Sequence, residues 1–180
     1  GDKLQEIHVL FETSSTNTWL LERASEWSGK AALCVAEKQS AGRGRRGREW
    51  VSPLGRNLYF SLMLPAFSPM SVIEGLSLVV GLVVARQLKK LGCDASLKWP
   101  NDVLVRGQKI AGVLIELQGD LHSECQLIIG VGVNFDLGVV DIDQPYTDIK
   151  SVIGKAPSRN HFSAELADEI ITAVELLKGR

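Results

Sequence analysis

The spacing of apolar residues changes several times along the chain, and each change predicts an element. Residues 7–11 alternate and read as a strand, after which Ser14, Ser15, Thr16 and Asn17 offer helix N-cap side chains. Trp19, Leu20, Ala24 and Trp27 then share one helical face until Gly29. Residues 31–37 predict a second strand, and 56–64, ending at Pro65, a third. Residues 71–91 predict a long helix whose Gly75, Ser77 and Gly81 would allow close packing on a sheet. Two short strands, 95–98 and 103–105, flank a Trp-Pro-Asn-Asp turn, and a tight connection over 106–109 makes a hairpin with 110–117. A strand over 126–134 thins at Gly130 and Gly132, residues 136–162 with Pro145 and Pro157 read as irregular, and Phe162, Leu166, Ile170, Ala173, Val174 and Leu177 mark a closing helix. This alternation predicts an α+β or α/β fold with a mixed sheet flanked by helices, and pattern alone does not separate the two.

Composition narrows the class. A chain of 180 residues, 45% hydrophobic and 23% charged, suits one globular domain. The formal net charge of −1 argues against a protein that coats nucleic acid. Cys34, Cys93 and Cys125 are odd in number and far apart, which reads as reduced thiols and a cytoplasmic location. His8, His122 and His161 have no metal-ligand spacing with them, so no zinc site is expected. The apolar tract 72–85 carries Glu74 and is shorter than the ~20 residues a bilayer requires, which predicts a buried helix and no membrane partner. No secretory pattern precedes residue 10, and the initial Gly1 suggests a processed piece.

The chemistry concentrates in residues 39–50, Gln-Ser-Ala-Gly-Arg-Gly-Arg-Arg-Gly-Arg-Glu-Trp, where Arg43, Arg45, Arg46 and Arg48 interleave with Gly42, Gly44 and Gly47. Glycine lets a backbone approach a ligand closely, and guanidinium forks suit phosphate and carboxylate. Ordering nine residues at roughly 1–2 kcal/mol each costs on the order of 10 kcal/mol, and nothing apolar precedes Trp50 to offset it. The expectation is a loop that is mobile alone and folds over an anionic ligand, with Trp50 as an aromatic lid. A solvated surface loop or an RNA-binding patch has the same composition.

Three further groups stand out. Lys98-Trp-Pro-Asn-Asp102 leaves a strand through a turn with a lysine, an amide and a carboxylate, a hard-oxygen pair that suits Mg²⁺ beside phosphates; an ordinary turn reads the same. Lys109-Ile-Ala-Gly-Val-Leu-Ile-Glu116 begins an apolar strand with a charge, either because it has a partner or because it blunts an edge. Gly130-Val-Gly-Val-Asn134 places an amide at a strand end, within reach of a base or ribose, though glycine there also marks bulges. No P-loop pattern is present.

Ser15-Thr-Asn17, the Gln39-to-Trp50 loop, Lys-Trp-Pro-Asn-Asp102, Lys109-Ile-Ala-Gly112 and Gly-Val-Gly-Val-Asn134 together resemble, in order and approximate spacing, the biotin–protein ligases. The resemblance is close over about residues 7–135. It implies a fold similar to the catalytic domain of class II aminoacyl-tRNA synthetases. It also implies activation of biotin by MgATP to biotinyl-5′-adenylate, then transfer to one lysine of a carboxylase's biotin carboxyl carrier domain. Position by position, Ser15, Thr16, Asn17 and Gln39 would meet the ring end of biotin, with Arg43, Gly44, Arg45 and Gly112 also around it. Lys109 would bind the biotin carboxylate. Arg46, Arg48, Trp50, Asn101 and Asn134 would lie at the nucleotide, and Asp102 at Mg²⁺ through the phosphates. Two unit charges 4 Å apart repel by roughly 4 kcal/mol at an effective dielectric of 20. A carboxylate attacking a phosphate therefore needs cations, and Lys109 and Arg45 would stabilise the reacting charge, with Lys98 on the nucleotide side and Asp102 an aid to deprotonating the incoming amine.

Members of that family commonly carry a C-terminal β-barrel and sometimes an N-terminal winged helix-turn-helix; residues 1–180 are expected to hold only the catalytic domain, with no DNA binding by this chain and with lowered activity. Monomer and homodimer both fit. A lipoate–protein ligase, a nucleic-acid-binding module and a fragment that binds biotin without turnover are the competing readings.

Overall fold

The computed structural model describes residues 4–27, 29–65, 70–119 and 125–178, with the side chains of 70–74 left out. His122 and the side chain of Glu74 lie outside the described residues. Among the described residues seven strands form one mixed sheet: β1 (Glu6–Thr13), β2 (Ala32–Gln39), β3 (Leu58–Pro65), β4 (Ala95–Lys98), β5 (Asp102–Val105), β6 (Gln108–Gly119) and β7 (Cys125–Val133). Their order across the sheet is β1-β2-β3-β7-β6-β5-β4. Only β1 and β2 run parallel; every other neighbouring pair is antiparallel.

Alternation assigns each strand residue to one of two faces. On one face Leu33, Phe60, Leu62, Val113, Ile129 and Val131 pack under the helices α2 (Met70–Lys90) and α4 (Arg159–Lys178), which contribute Leu76, Val80, Val84, Leu88, Leu166, Ile170 and Val174. On the other face α1 (Thr16–Leu21) and a 3₁₀ turn (Ala24–Trp27) cover Ala32, Cys34, Met63 and Ile128 through Leu20, Ala24 and Trp27. The predicted helix 17–29 is thus corrected to two pieces. Where α1 stops, Arg23 donates to the Trp19 carbonyl at 3.1 Å and lies 4.4 Å over the Trp19 ring, satisfying an acceptor that a continued helix would have used. Ser15 is the N-cap residue but makes no capping bond.

Two other expectations change. The stretch read as irregular contains α3 (Ile149–Ile153), started by Asp148, whose carboxylate accepts from Ser151 N at 2.7 Å and from Leu137 N at 3.0 Å. In α2, Gly81 does lie close to β4, since a Cβ there would sit 3.0 Å from Leu97, and Ser77 donates to the Pro100 carbonyl at 3.0 Å. Gly75, by contrast, faces open space. The β5–β6 hairpin turns through Arg106 and Gly107, both at positive φ (51° and 78°), the geometry a tight two-residue hairpin needs. All three cysteines are free thiols. Among the described residues no helix is long and apolar enough to cross a membrane.

Candidate active site

Cross-strand register places a glycine trough on the α1 face of the sheet. Tyr59 opposes Gly132, and Gly132 opposes Gly112; in the next row Ser61 opposes Gly130, and Gly130 opposes Leu114. Two central positions without side chains leave a cleft between the helix α1 and the loop that follows β2. The gap is filled by side chains from elsewhere. A Cβ on Gly130 would collide with the Asn17 amide, and one on Gly132 with the Trp50 indole.

A continuous hydrogen-bond chain lines the closed end. Thr16 donates its backbone N–H (2.9 Å) and hydroxyl (3.2 Å) to Gln39 Oε1; Gln39 Nε2 donates to Ser52 Oγ at 3.1 Å, and Ser52 Oγ to the Trp50 carbonyl at 2.8 Å. On the other side Ser61 Oγ lies 2.6 Å from Thr16 Oγ1 and 2.5 Å from Asn17 Oδ1. Asn17 Nδ2 donates to Glu116 Oε2 at 2.8 Å, and Arg43 donates to the same oxygen at 2.8 Å. Ser15, Thr16 and Asn17 are buried. Thr16, Asn17 and Gln39 are therefore fixed neutral donors and acceptors at this end, with the Glu116–Arg43 ion pair behind Asn17.

The opposite end carries charge. Lys109 Nζ pairs with Asp102 Oδ1 at 2.8 Å, with both side chains largely buried, and sits 5.2 Å over the Trp50 ring. A β-bulge places it there. Asp102 pairs with Gly112 and Leu104 with Lys109, so Ile110 is an extra residue on β6. In a regular strand Lys109 would share its face with Ala111 and Val113 and point into the core. The extra residue reverses it into the cleft, and Ile110 is buried instead. The segment 145–147 then clamps the backbone, since Lys109 N donates to Pro145 O and Thr147 N to Lys109 O, each at 2.9 Å. Asn101 is fixed by two contacts with Val113: its Nδ2 donates to the Val113 carbonyl at 2.8 Å, and its own carbonyl accepts from Val113 N at 2.9 Å.

The arginine–glycine loop is folded by its own backbone. Gly44 N donates to Arg48 O (2.7 Å) and Trp50 N to Gly42 O (2.9 Å), with a short 3₁₀ turn, Arg45–Gly47, at the tip. These bonds, the Arg43–Glu116 pair and the packing of a half-buried Trp50 are contacts that the composition of the loop did not show. The reading of Trp50 as a lid is corrected: the indole lies on the floor, against Gly132 and Gly112, because those positions have no side chain to exclude it.

Most of the residues singled out in the sequence meet in this cleft. Ser15, Thr16, Asn17 and Gln39 line one end; Arg43, Gly44, Arg45 and Arg48 line the loop side; Lys98, Asn101, Asp102, Lys109 and Gly112 line the far side. Two stand apart. Arg46, at φ 58°, turns toward a separate depression beside Ser77 and Glu116. Asn134 is buried behind β6, donating to Thr147 O at 3.0 Å, so its amide nitrogen pins the chain before α3 and does not line the cleft. Sequence reading missed Ser61, Ser52 and Tyr59, and gave Glu116, at the end of the Lys109 strand, no role. Ser61 and Glu116 carried a signal, each being a polar residue within an apolar strand and so in need of a partner. Tyr59 donates to Pro53 O at 2.7 Å, and burial pushes its phenol well above the ordinary value.

The class these features define is confirmed by comparison: residues 10–134 match the model of the biotin/lipoate A/B protein ligase family, and the chain belongs to that family. Within it, the chain is 40% identical over 176 residues to the bifunctional ligase/repressor BirA of Escherichia coli, covering 96% of this chain and 54% of BirA. The chain thus spans about half the length of that curated relative. Among solved structures it is similar to the biotin protein ligase from Aquifex aeolicus in complex with biotin and ATP, with TM-score 0.81 and 33% identity over 98% of this chain and 73% of that one. It is equally similar to the Leishmania major biotin protein ligase in complex with biotinyl-5-AMP, at TM-score 0.81 and 28% identity, covering 94% of this chain and 75% of that one. The mixed sheet with flanking helices is the fold of those ligases.

Proposed function

We propose that the chain is the catalytic part of an ATP-dependent biotin–protein ligase. The observation that carries the reading is the polarity of one cleft: neutral hydrogen-bonding groups at the closed end, cations at the other. Thr16, Asn17 and Gln39 suit the N–H and C=O groups of a ureido ring. A dithiolane ring, which has no such groups, would leave those partners unused, and this favours biotin over lipoate. Lys109, released from Asp102, takes the biotin carboxylate, and Arg45, with Arg48, stands over the phosphates, while Arg43 stays with Glu116 beside the ring end.

In the first step a carboxylate oxygen of biotin attacks the α-phosphorus of ATP, the bond to the β-phosphate bridging oxygen breaks, and pyrophosphate leaves. In the second, a lysine amine of a carboxylase carrier domain attacks the acyl carbon and AMP departs with the bonding pair. Lys109 and Arg45 hold the negative charge that gathers between the two anions. Among the described residues no three His, Cys, Asp or Glu side chains gather as a metal cage. Asn101 and Asp102 instead offer the one amide and one carboxylate that suit a Mg²⁺ arriving on phosphates with its waters, where it would supply positive charge. Trp50 and Arg48 border the nucleotide side.

The test is ATP–pyrophosphate exchange. Biotin is expected to stimulate it and lipoate to leave it at background. Exchange indifferent to biotin refutes the reading, and affinity for RNA that falls steeply with salt would replace it.

A further inference from the structure

The proposed ring-binding residues and the arginine loop meet on one oxygen. Glu116 stands on β6 beyond the point where β5 stops pairing, at Gly112, so nothing from β5 covers it. It faces the cleft side, opposite Ile128. Its Oε2 accepts from Asn17 Nδ2 and from Arg43 Nη2, each at 2.8 Å. Asn17 belongs to the buried end, at 3% exposure, whereas Arg43 is the first arginine of the loop and is itself bridged to Glu49 on the loop's returning arm. One carboxylate therefore ties a buried amide to a partly exposed guanidinium 26 positions away in sequence. Without it, Asn17 keeps only Ser61 and a long 3.4 Å contact to Leu114 O, and the loop base loses its one ion pair among the described contacts.

We propose that Glu116 is a positioning residue, a clasp that sets the loop against the cleft and orients Asn17 at the same time. This rests on the reading of the cleft as a biotin site. A shared acceptor makes the two ends interdependent: movement of Arg43 away from Glu116 leaves the carboxylate to Asn17 alone, and rotation of Asn17 leaves it to Arg43. The device acts on how the acid and the loop are held, not on the bonds that form and break, so binding and catalysis should separate.

Glu116→Ala and Glu116→Gln test it with two readouts. The first is hydrogen exchange of Gly44, Arg48 and Trp50, whose amides make the loop's internal bonds, in the protein without added ligand. Both variants are expected to exchange about tenfold faster at these amides, with exchange in β3 and β7 unchanged. The second is biotin-dependent pyrophosphate exchange. Glu116→Ala is expected to raise KM for biotin about tenfold, with kcat within about threefold. Glu116→Gln keeps an oxygen for Asn17 but gives up the charge that holds Arg43, so it should open the loop while raising KM less. Parental loop exchange in Glu116→Gln overturns the clasp, as does a fall in kcat with KM unmoved. Should Glu116→Ala not fold, Glu116→Gln decides on its own. If the parent protein shows no biotin-dependent exchange, the functional reading fails, and the loop amides still decide whether the clasp exists.

Discussion

Gly130→Ala adds one methyl group at the centre of the sheet and tests why the trough must be bare. A Cβ there would collide with Asn17 Oδ1 and lie 2.9 Å from its Cγ and Nδ2, closer than side-chain carbons ever sit. Asn17 has no room to yield, since it is buried and held by Ser61 at 2.5 Å and Glu116 at 2.8 Å. Displacing it breaks a neutral bond of about 1 kcal/mol and a charge-assisted one of about 1.5–3 kcal/mol. Overpacking in a filled core costs about 1–3 kcal/mol by itself. The terms overlap, because movement that relieves the clash is what breaks the bonds, so about 3 kcal/mol is the working figure. For a domain of this size that lowers Tm by roughly 6–12 °C. If the biotin ring is held by Asn17, affinity should also fall, by up to about a hundredfold. Thermal unfolding and calorimetric titration with biotin measure the two. Gly75→Ala is the matched control. That glycine lies in α2 with nothing within 4 Å, so alanine should stabilise by about 0.5–1 kcal/mol. Equal melting temperatures for Gly130→Ala and the parent would refute the packing argument, and parental biotin affinity would refute the role of Asn17.

Arg45→Gly should slow biotin-dependent exchange and release biotinyl-adenylate at least tenfold faster in a filter-retention assay, and unchanged retention would remove Arg45 from the site. Lys109→Ala leaves Asp102 without its cation and the acid without its partner; biotin-dependent exchange should drop by at least a hundredfold, and a rate near the parental one would reassign the carboxylate. Cys34 is buried, and that burial, outweighing the nearby Arg23, pushes its thiol up to about 12. Cys93 is also buried and raised by the same cause. Alkylation at pH 8 should therefore label Cys125 in the native protein and the other two only after unfolding, as mass spectrometry would show; native labelling of Cys34 would contradict its burial.

Hydrophobic spacing was enough to place the strands and the two long helices, because burial against a sheet demands a period of two and packing on it a period near four. The candidate chemistry was equally plain, since Arg43, Arg45, Lys98, Asp102 and Lys109 are charges set among glycines or beside apolar runs, where they call for partners. Local pattern could not show who those partners were. Asn17 and Glu116 are 99 positions apart and meet because β6 and α1 share one face of the sheet. Asn134 looked like a ligand residue, yet its amide is taken by the backbone before α3, a helix too short for its periodicity to register. Trp50 at the end of a polar loop read as a cover, and only the register of β3, β7 and β6, which aligns Gly132 with Gly112, reveals the bare floor that receives it.

Lys109 shows the division most clearly. Local pattern is enough to show that a lysine opens an otherwise apolar strand and must escape the core or be neutralised. It also determined the elements on either side, since each follows from local spacing and local turn chemistry. The direction of that lysine was decided by a single unpaired residue, Ile110, whose position depends on how β5 aligns with β6. Strand register is a property of two segments together, and one extra residue exchanges the faces of everything beyond it. The cationic end of the cleft therefore exists only in the assembled sheet.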